Sequence, residues 1–144
     1  MLPETVVVDL YGTPTLLLHG DSLCTDDVDY QAIRRQTRDP AWQAAILAKS
    51  IAERIEIARN ARDASTEHKD AASMAIMDVN EAAVVKAYAD NRVGRMIHGH
   101  THRPAVHRHD LGNGESGERI VLADWYSKGS YLEVTPEGAR SLDI

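Results

Sequence analysis

Three of the chain's seven histidines fall within five positions, in the run His98-Gly99-His100-Thr101-His102. An apolar pair, Met96-Ile97, precedes them and Arg103-Pro104 closes them, so they sit where a short strand runs out into a loop. In extended backbone alternate side chains point the same way, which puts His98, His100 and His102 on one side. The turn at Gly99 can release His98 from that row. Neutral imidazole is the commonest protein metal ligand, and glycine lets backbone approach a ligand closely. A solvated polar loop accounts for any one of these histidines. Three at this spacing favour metal binding.

A second cluster, His19-Gly20-Asp21, ends another apolar run, Thr15-Leu16-Leu17-Leu18. Strand ends gathered at one sheet edge are where sites assemble, so His19, His100 and His102 are expected to converge. Three imidazoles with an open position form a catalytic zinc arrangement, whereas two adjacent metals suit phosphate ester or anhydride hydrolysis. Two ions need carboxylates, and Asp21, Asp26 and Asp27 are the acidic candidates near a histidine. Spacing alone leaves one metal or two undecided.

The elements that must hold these clusters read as strands, a helical middle, then strands. Thr5–Leu10 is β-branched and predicts a strand. Tyr11-Gly12-Thr13-Pro14 predicts a turn, making a hairpin with the Leu-rich strand that ends at His19. Thr25 is expected to cap a helix running to about Thr37, with Asp26 and Asp27 in its first turn. A second helix is expected from Trp42 to about Asp63, with Leu47, Ile51, Ile55 and Ala58 on one face. Arg34 to Arg62 carries seven basic residues against three acidic ones. Residues 64–70 read as a polar break and residues 74–77 as part of a further helix. Asn80 caps another from Glu81 to about Asp90, burying Val84, Val85 and Tyr88. Short strands joined by Gly-rich turns after residue 95 predict an antiparallel meander.

Composition narrows the function classes. A length of 144 residues suits one domain, and a net charge of −6 argues against a nucleic-acid binder. The one cysteine, Cys24, rules out an internal disulfide and reads as a small buried residue. No apolar run is long enough to span a bilayer, and the first residues lack a signal peptide's pattern, which together predict a cytoplasmic protein.

With these motifs in view, the sequence resembles the calcineurin-like metallophosphoesterases, whose last two motifs match His19-Gly20-Asp21 and Gly99-His100-Thr101-His102. The runs 16–27 (LLLHGDSLCTDD), 76–80 (IMDVN) and 97–107 (IHGHTHRPAVH) are similar to the C-terminal part of the bacterial UDP-2,3-diacylglucosamine pyrophosphatases of lipid A biosynthesis. The resemblance spans essentially the whole chain. It implies an α/β (α+β) fold, the C-terminal half of a β-sandwich with a helical lid inserted at about residues 26–75. It further implies hydrolysis of the UDP-2,3-diacylglucosamine diphosphate to 2,3-diacylglucosamine 1-phosphate and UMP, two Mn(2+) ions, and a peripheral place on the cytoplasmic face of the inner membrane. The family places its DxH, GDxxD-type and GN-type motifs before the region matched here, and none of them stands ahead of His19 in this sequence, so the bridging aspartate and several ligands are expected from an N-terminal half. Another phosphoesterase activity, or metal or lipid binding without turnover, is the alternative.

By the same resemblance His19 and His100 ligate one metal and His102 the other, with His100 also near the phosphate. Asp27 matches a substrate head-group position and Ser65 a polar position in the lid. Where the family has Asn and then Lys shortly after that serine, this sequence has Lys69 and Ala72, so Lys69 is expected to supply the cation from a shifted position. The basic helices would then lie beside a lipid surface, each cation worth about 1 kcal/mol near anionic lipid. His98 is expected to orient the loop. His107 and His109 read as surface or half-buried, and Asp124-Trp125 as packing beneath the histidine loop.

Overall fold

The computed structural model describes residues 3–71, 77–112, 114–126 and 128–144, and of residues 64–71 the backbone alone. Two compact units emerge, residues 24–78 and the remainder.

The larger unit holds a five-stranded sheet. β1 (Thr5–Leu10) and β2 (Thr13–Leu18) form the expected hairpin, turned at Tyr11 and Gly12, which both take positive φ. β3 (Arg95–His98) lies parallel to β2, β5 (Glu115–Val121) lies parallel to β3, and β4 (Ala105–Gly112) pairs antiparallel with β5. The order is β1-β2-β3-β5-β4. Only part of the expected meander forms: β4 and β5 are a hairpin, while β6 (Ser130–Thr135) and β7 (Gly138–Asp143) make a separate two-stranded sheet. Strand β3 is buried, and a central buried strand is suited by parallel neighbours.

Alternation along the strands assigns the two faces of this sheet. Leu16 and Met96 pack with Val84 and Tyr88 of α4 (Glu81–Asn91), joined by Leu23 and Val93 in one core. Leu17, Ile97 and Leu122 point the other way and line an apolar pocket of about 460 Å³ with Tyr131, Leu132 and Val134 of β6. Helix α4 starts as expected, because the Asn80 side chain accepts a hydrogen bond from the Ala83 amide at 3.1 Å. It ends at Arg92 in the left-handed conformation.

The smaller unit is helical: α1 (Val28–Thr37), α2 (Pro40–Leu47) and α3 (Ile51–Ala71). Three boundaries differ from the sequence reading. Asp27, not Thr25, caps α1, accepting from the Tyr30 amide at 3.0 Å. The single helix expected from Trp42 is broken at residues 48–50, where Ser50 and Glu53 form a reciprocal capping box that restarts it: the Ser50 amide donates to Glu53 at 2.9 Å and the Glu53 amide to Ser50 Oγ at 3.3 Å. The polar stretch 64–70 continues α3 instead of breaking it, since Ala, Glu and Lys are good helix formers whatever their polarity. The helix expected around residues 74–77 falls largely outside the described residues. Leu47, Ile51, Ile55 and Ala58, expected on one face of that single helix, are divided by the break, Leu47 ending α2 and the other three lying on α3, and all four are exposed. Cys24 is buried as expected.

Candidate active site

Because β2, β3 and β5 run parallel, their C-terminal ends emerge at one sheet edge. Leu18 pairs with His98 and His98 with Val121, so His19, the 99–102 loop and the segment after β5 start level with one another. The Gly99 amide donates to the His19 carbonyl at 3.0 Å, the Leu122 amide to the His98 carbonyl at 2.8 Å and the Thr101 amide to the Gly99 carbonyl at 2.8 Å. Gly20 is needed in this crossing. Its φ is +109°, and a Cβ there would sit 2.6 Å from His98 Nδ1.

His19 and His100 come together. Their rings meet edge to face with centroids 5.0 Å apart. His102 turns elsewhere, its Nδ1 lying 3.9 Å from Asp124 Oδ2 and its ring 5.6 Å from that of Tyr126. The backbone of the histidine loop is not the extended chain that the alternating row assumed: His100 and His102 have φ of 66° and 53°. Left-handed backbone is uncommon away from glycine, tolerated best by short polar residues and histidine, and it clusters at functional sites. His98 ends β3 and is buried.

Among the described residues no three His, Cys, Asp or Glu side chains gather in a metal-sized group. The donor set fits a divalent ion only in part. Two imidazoles side by side can hold one face of an ion, while the carboxylates that neutralise a pair of ions are not assembled with them. Asp21 is buried at the start of a one-turn 3-10 helix, Asp21–Leu23. Asp27 belongs to the helical unit, where it caps α1. Ser65 and Lys69 lie on α3 with side chains outside the described residues, and Ala72 lies outside them altogether.

Beneath the loop the sequence reading missed a feature. His109 is buried, not superficial: its Nδ1 lies 2.7 Å from Glu81 Oε1 and its Nε2 accepts from Arg119 Nε at 3.0 Å. Arg119 Nη1 stands 3.1 Å from His98 Nε2. The available signal was Arg119 in the inward phase of β5, two residues from buried Gly117 and two from buried Val121. His107 is half-buried as expected. Trp125 does not pack beneath the loop. It is exposed, donates to the Ser130 carbonyl at 2.7 Å and edges the apolar pocket.

A mixed α/β sheet with helices, bearing histidine loops at the ends of parallel strands, is consistent with part of an α+β metallophosphoesterase domain. No family model matches the chain. It is, however, 47% identical over 145 residues to UDP-2,3-diacylglucosamine hydrolase of Xanthomonas campestris pv. campestris, which covers 96% of this chain and 58% of that protein. The protein of that name from Stenotrophomonas maltophilia is 47% identical over 150 residues, covering 99% of the chain and 60% of the relative. That of Xanthomonas oryzae pv. oryzae is 46% identical over 145 residues. The resemblance read from the motifs is borne out. The chain spans somewhat under two thirds of the length of the curated relatives it matches, consistent with a C-terminal part of such a protein.

Proposed function

We propose that the chain forms the C-terminal part of a hydrolase that cleaves the diphosphate of UDP-2,3-diacylglucosamine, giving 2,3-diacylglucosamine 1-phosphate and UMP in lipid A assembly. The observation that carries this is the 47% identity over 96% of the chain to hydrolases bearing that substrate's name, with His19 and His100 side by side where the resemblance expects paired ligands. In this reading His19 and His100 hold one Mn(2+) and His102 takes part in holding a second. Bound there, manganese supplies Lewis-acid charge to the diphosphate oxygens. The remaining ligands, including the bridging carboxylate, come from the part of the relatives that the chain does not span. His100 also contacts the phosphate, and Asp27, Ser65 and Lys69 contact the substrate.

The helical unit is proposed to serve the lipid end, at the cytoplasmic face of the inner membrane. Val28, Ile33, Leu47 and Ile51 are exposed there, alongside exposed Arg35, Arg38 and Arg59. Apolar and cationic groups together suit an anionic lipid surface. Among the described residues no helix is long and apolar enough to cross a membrane.

The test joins the chain to the preceding segment of the Stenotrophomonas relative. UMP release should then be inhibited by diacylglucosamine 1-phosphate and left unchanged by simple phosphate monoesters. Preference for a monoester substrate would instead support another calcineurin-like phosphoesterase.

A further inference from the structure

Four side chains from four elements form a continuous polar chain under the histidine loop. They are His98 at the end of β3, Arg119 on β5, His109 on β4 and Glu81 in the first turn of α4. His98, His109 and Arg119 are 1%, 6% and 5% exposed. Buried groups of this kind are costly unless hydrogen-bonded, and once bonded they fix one arrangement.

The bonds admit a single placement of protons. A guanidinium carries donors and no acceptor. Arg119 meets His98 at Nε2, 3.1 Å away, and donates to His109 at Nε2, 3.0 Å away, so both Nε2 atoms must present lone pairs. Each ring's proton then sits on Nδ1, and each Nδ1 has an acceptor beside it. For His98 this is the Gly99 carbonyl at 2.8 Å, and for His109 it is the Glu81 carboxylate at 2.7 Å. Every bond in the chain is satisfied by that one pattern.

The chain acts on the site through Gly99. Its carbonyl accepts from the His98 ring and from the Thr101 amide, while its amide donates to the His19 carbonyl. The peptide units flanking Gly99 therefore link the buried chain to both His19 and His100. Gly20 packs beside this bond: a Cβ there would come within 2.6 Å of His98 Nδ1, so the bare glycine backbone leaves the ring its place.

We propose that Arg119 is a positioning residue for the histidine loop: it holds His98 and His109 as Nδ1-protonated imidazoles and, through the His98–Gly99 bond, fixes the spacing between His19 and His100. The proposal needs neither a bound metal nor turnover. If the hydrolase reading fails, the proton pattern is unaffected.

Long-range proton–nitrogen correlation on the ¹⁵N-labelled 144-residue chain tests it, in solution or, for self-associated protein, on the sedimented sample. His98 and His109 should each show an unprotonated Nε2 and a protonated Nδ1. A protonated Nε2 on either ring in the unsubstituted protein overturns the proposal, whatever the variants do. In Arg119→Met both rings should lose this pattern, and the cross-relaxation between the His19 and His100 rings should be lost as well. If that cross-relaxation persists unchanged in a folded Arg119→Met protein, Arg119 fills the core without positioning the loop, and the proposal is wrong.

Discussion

Single residues already separate the roles around the sheet edge. Tyr88 lies buried over Gly117, where a Cβ would come within 2.8 Å of its ring, and its hydroxyl has no hydrogen-bond partner among the described residues. Burial holds the phenol well above its ordinary range, Glu118 and Glu81 adding to the shift and Arg119 and Arg108 opposing it. With the folded pKa raised, the neutral phenol's contribution is fully present below the unfolded value near ~10. It is lost as pH climbs above that value, because the unfolded state then holds fewer protons. Tyr88→Phe should remove that alkaline loss, and at neutral pH should raise stability by about 1 kcal/mol by deleting an unpaired hydroxyl. Urea melts of both proteins at pH 7 and pH 11 check both effects. At the same scale, the ring contact of His19 with His100 predicts weak binding of Mn(2+) or Zn(2+) to the chain, lost in His19→Ala and His100→Ala. His102→Ala, whose ring lies beside Asp124, should weaken it less. Calorimetry showing equal affinity in all four proteins would sink the pairing.

Elements show where local pattern suffices and where it does not. Helix α3 begins because Ser50 and Glu53 cap one another, with Ser50 Oγ 2.6 Å from the Glu53 carboxylate. That bond, followed by the bond from the Ser50 amide and the charge of Lys49, holds the Glu53 carboxyl below its ordinary range. A lowered pKa gives stability that is present above the unfolded value and lost as pH falls through the folded one. Helical circular dichroism should therefore fall on acidification through the carboxylate range, and Ser50→Ala should start lower and respond less. The Ser-x-x-Glu signature was present in the sequence, but a strongly periodic alanine-rich run concealed it. The β1–β2 hairpin and the start of α4 were legible because turn and cap chemistry is local. The parallel pairing of β3 with β5 was not, since strand direction depends on where the intervening chain returns. The histidine clusters were legible by type, and their geometry was not. Left-handed backbone at His100 and His102 departs from the extended chain that alternation assumes. The Arg119 chain was hidden because its partners lie 10 and 21 residues away, on other strands.

At the scale of the molecule, the sheet is covered by α4 on one face. On the other, the β6–β7 hairpin leaves the pocket lined by Leu10, Leu17, Ile97 and Leu122. Strand β1 is a sheet edge, and Val7, Val106, Trp125 and Tyr131 are exposed. Open edges and apolar patches invite association. The chain by itself should self-associate in sedimentation experiments; a monodisperse monomer with a sharp cooperative melt would argue that nothing further needs to cover this face.

The central claim is that this chain holds only part of a metallohydrolase site, and UMP release from UDP-2,3-diacylglucosamine with Mn(2+) tests it most directly. Among the described residues two imidazoles meet without an assembled carboxylate set, and so lack the charge that a two-ion displacement requires. Losing such positioning and electrostatic stabilisation costs several kcal/mol, and each ~1.4 kcal/mol is tenfold in rate. The chain alone should therefore release UMP at least about a thousandfold more slowly than the same chain joined to the preceding segment of a relative, and His19→Ala in the joined protein should abolish the recovered rate. Comparable rates from the chain alone and the joined protein would contradict the account, and would mean that Asp21, Asp26 or Asp27 supplies the missing carboxylate.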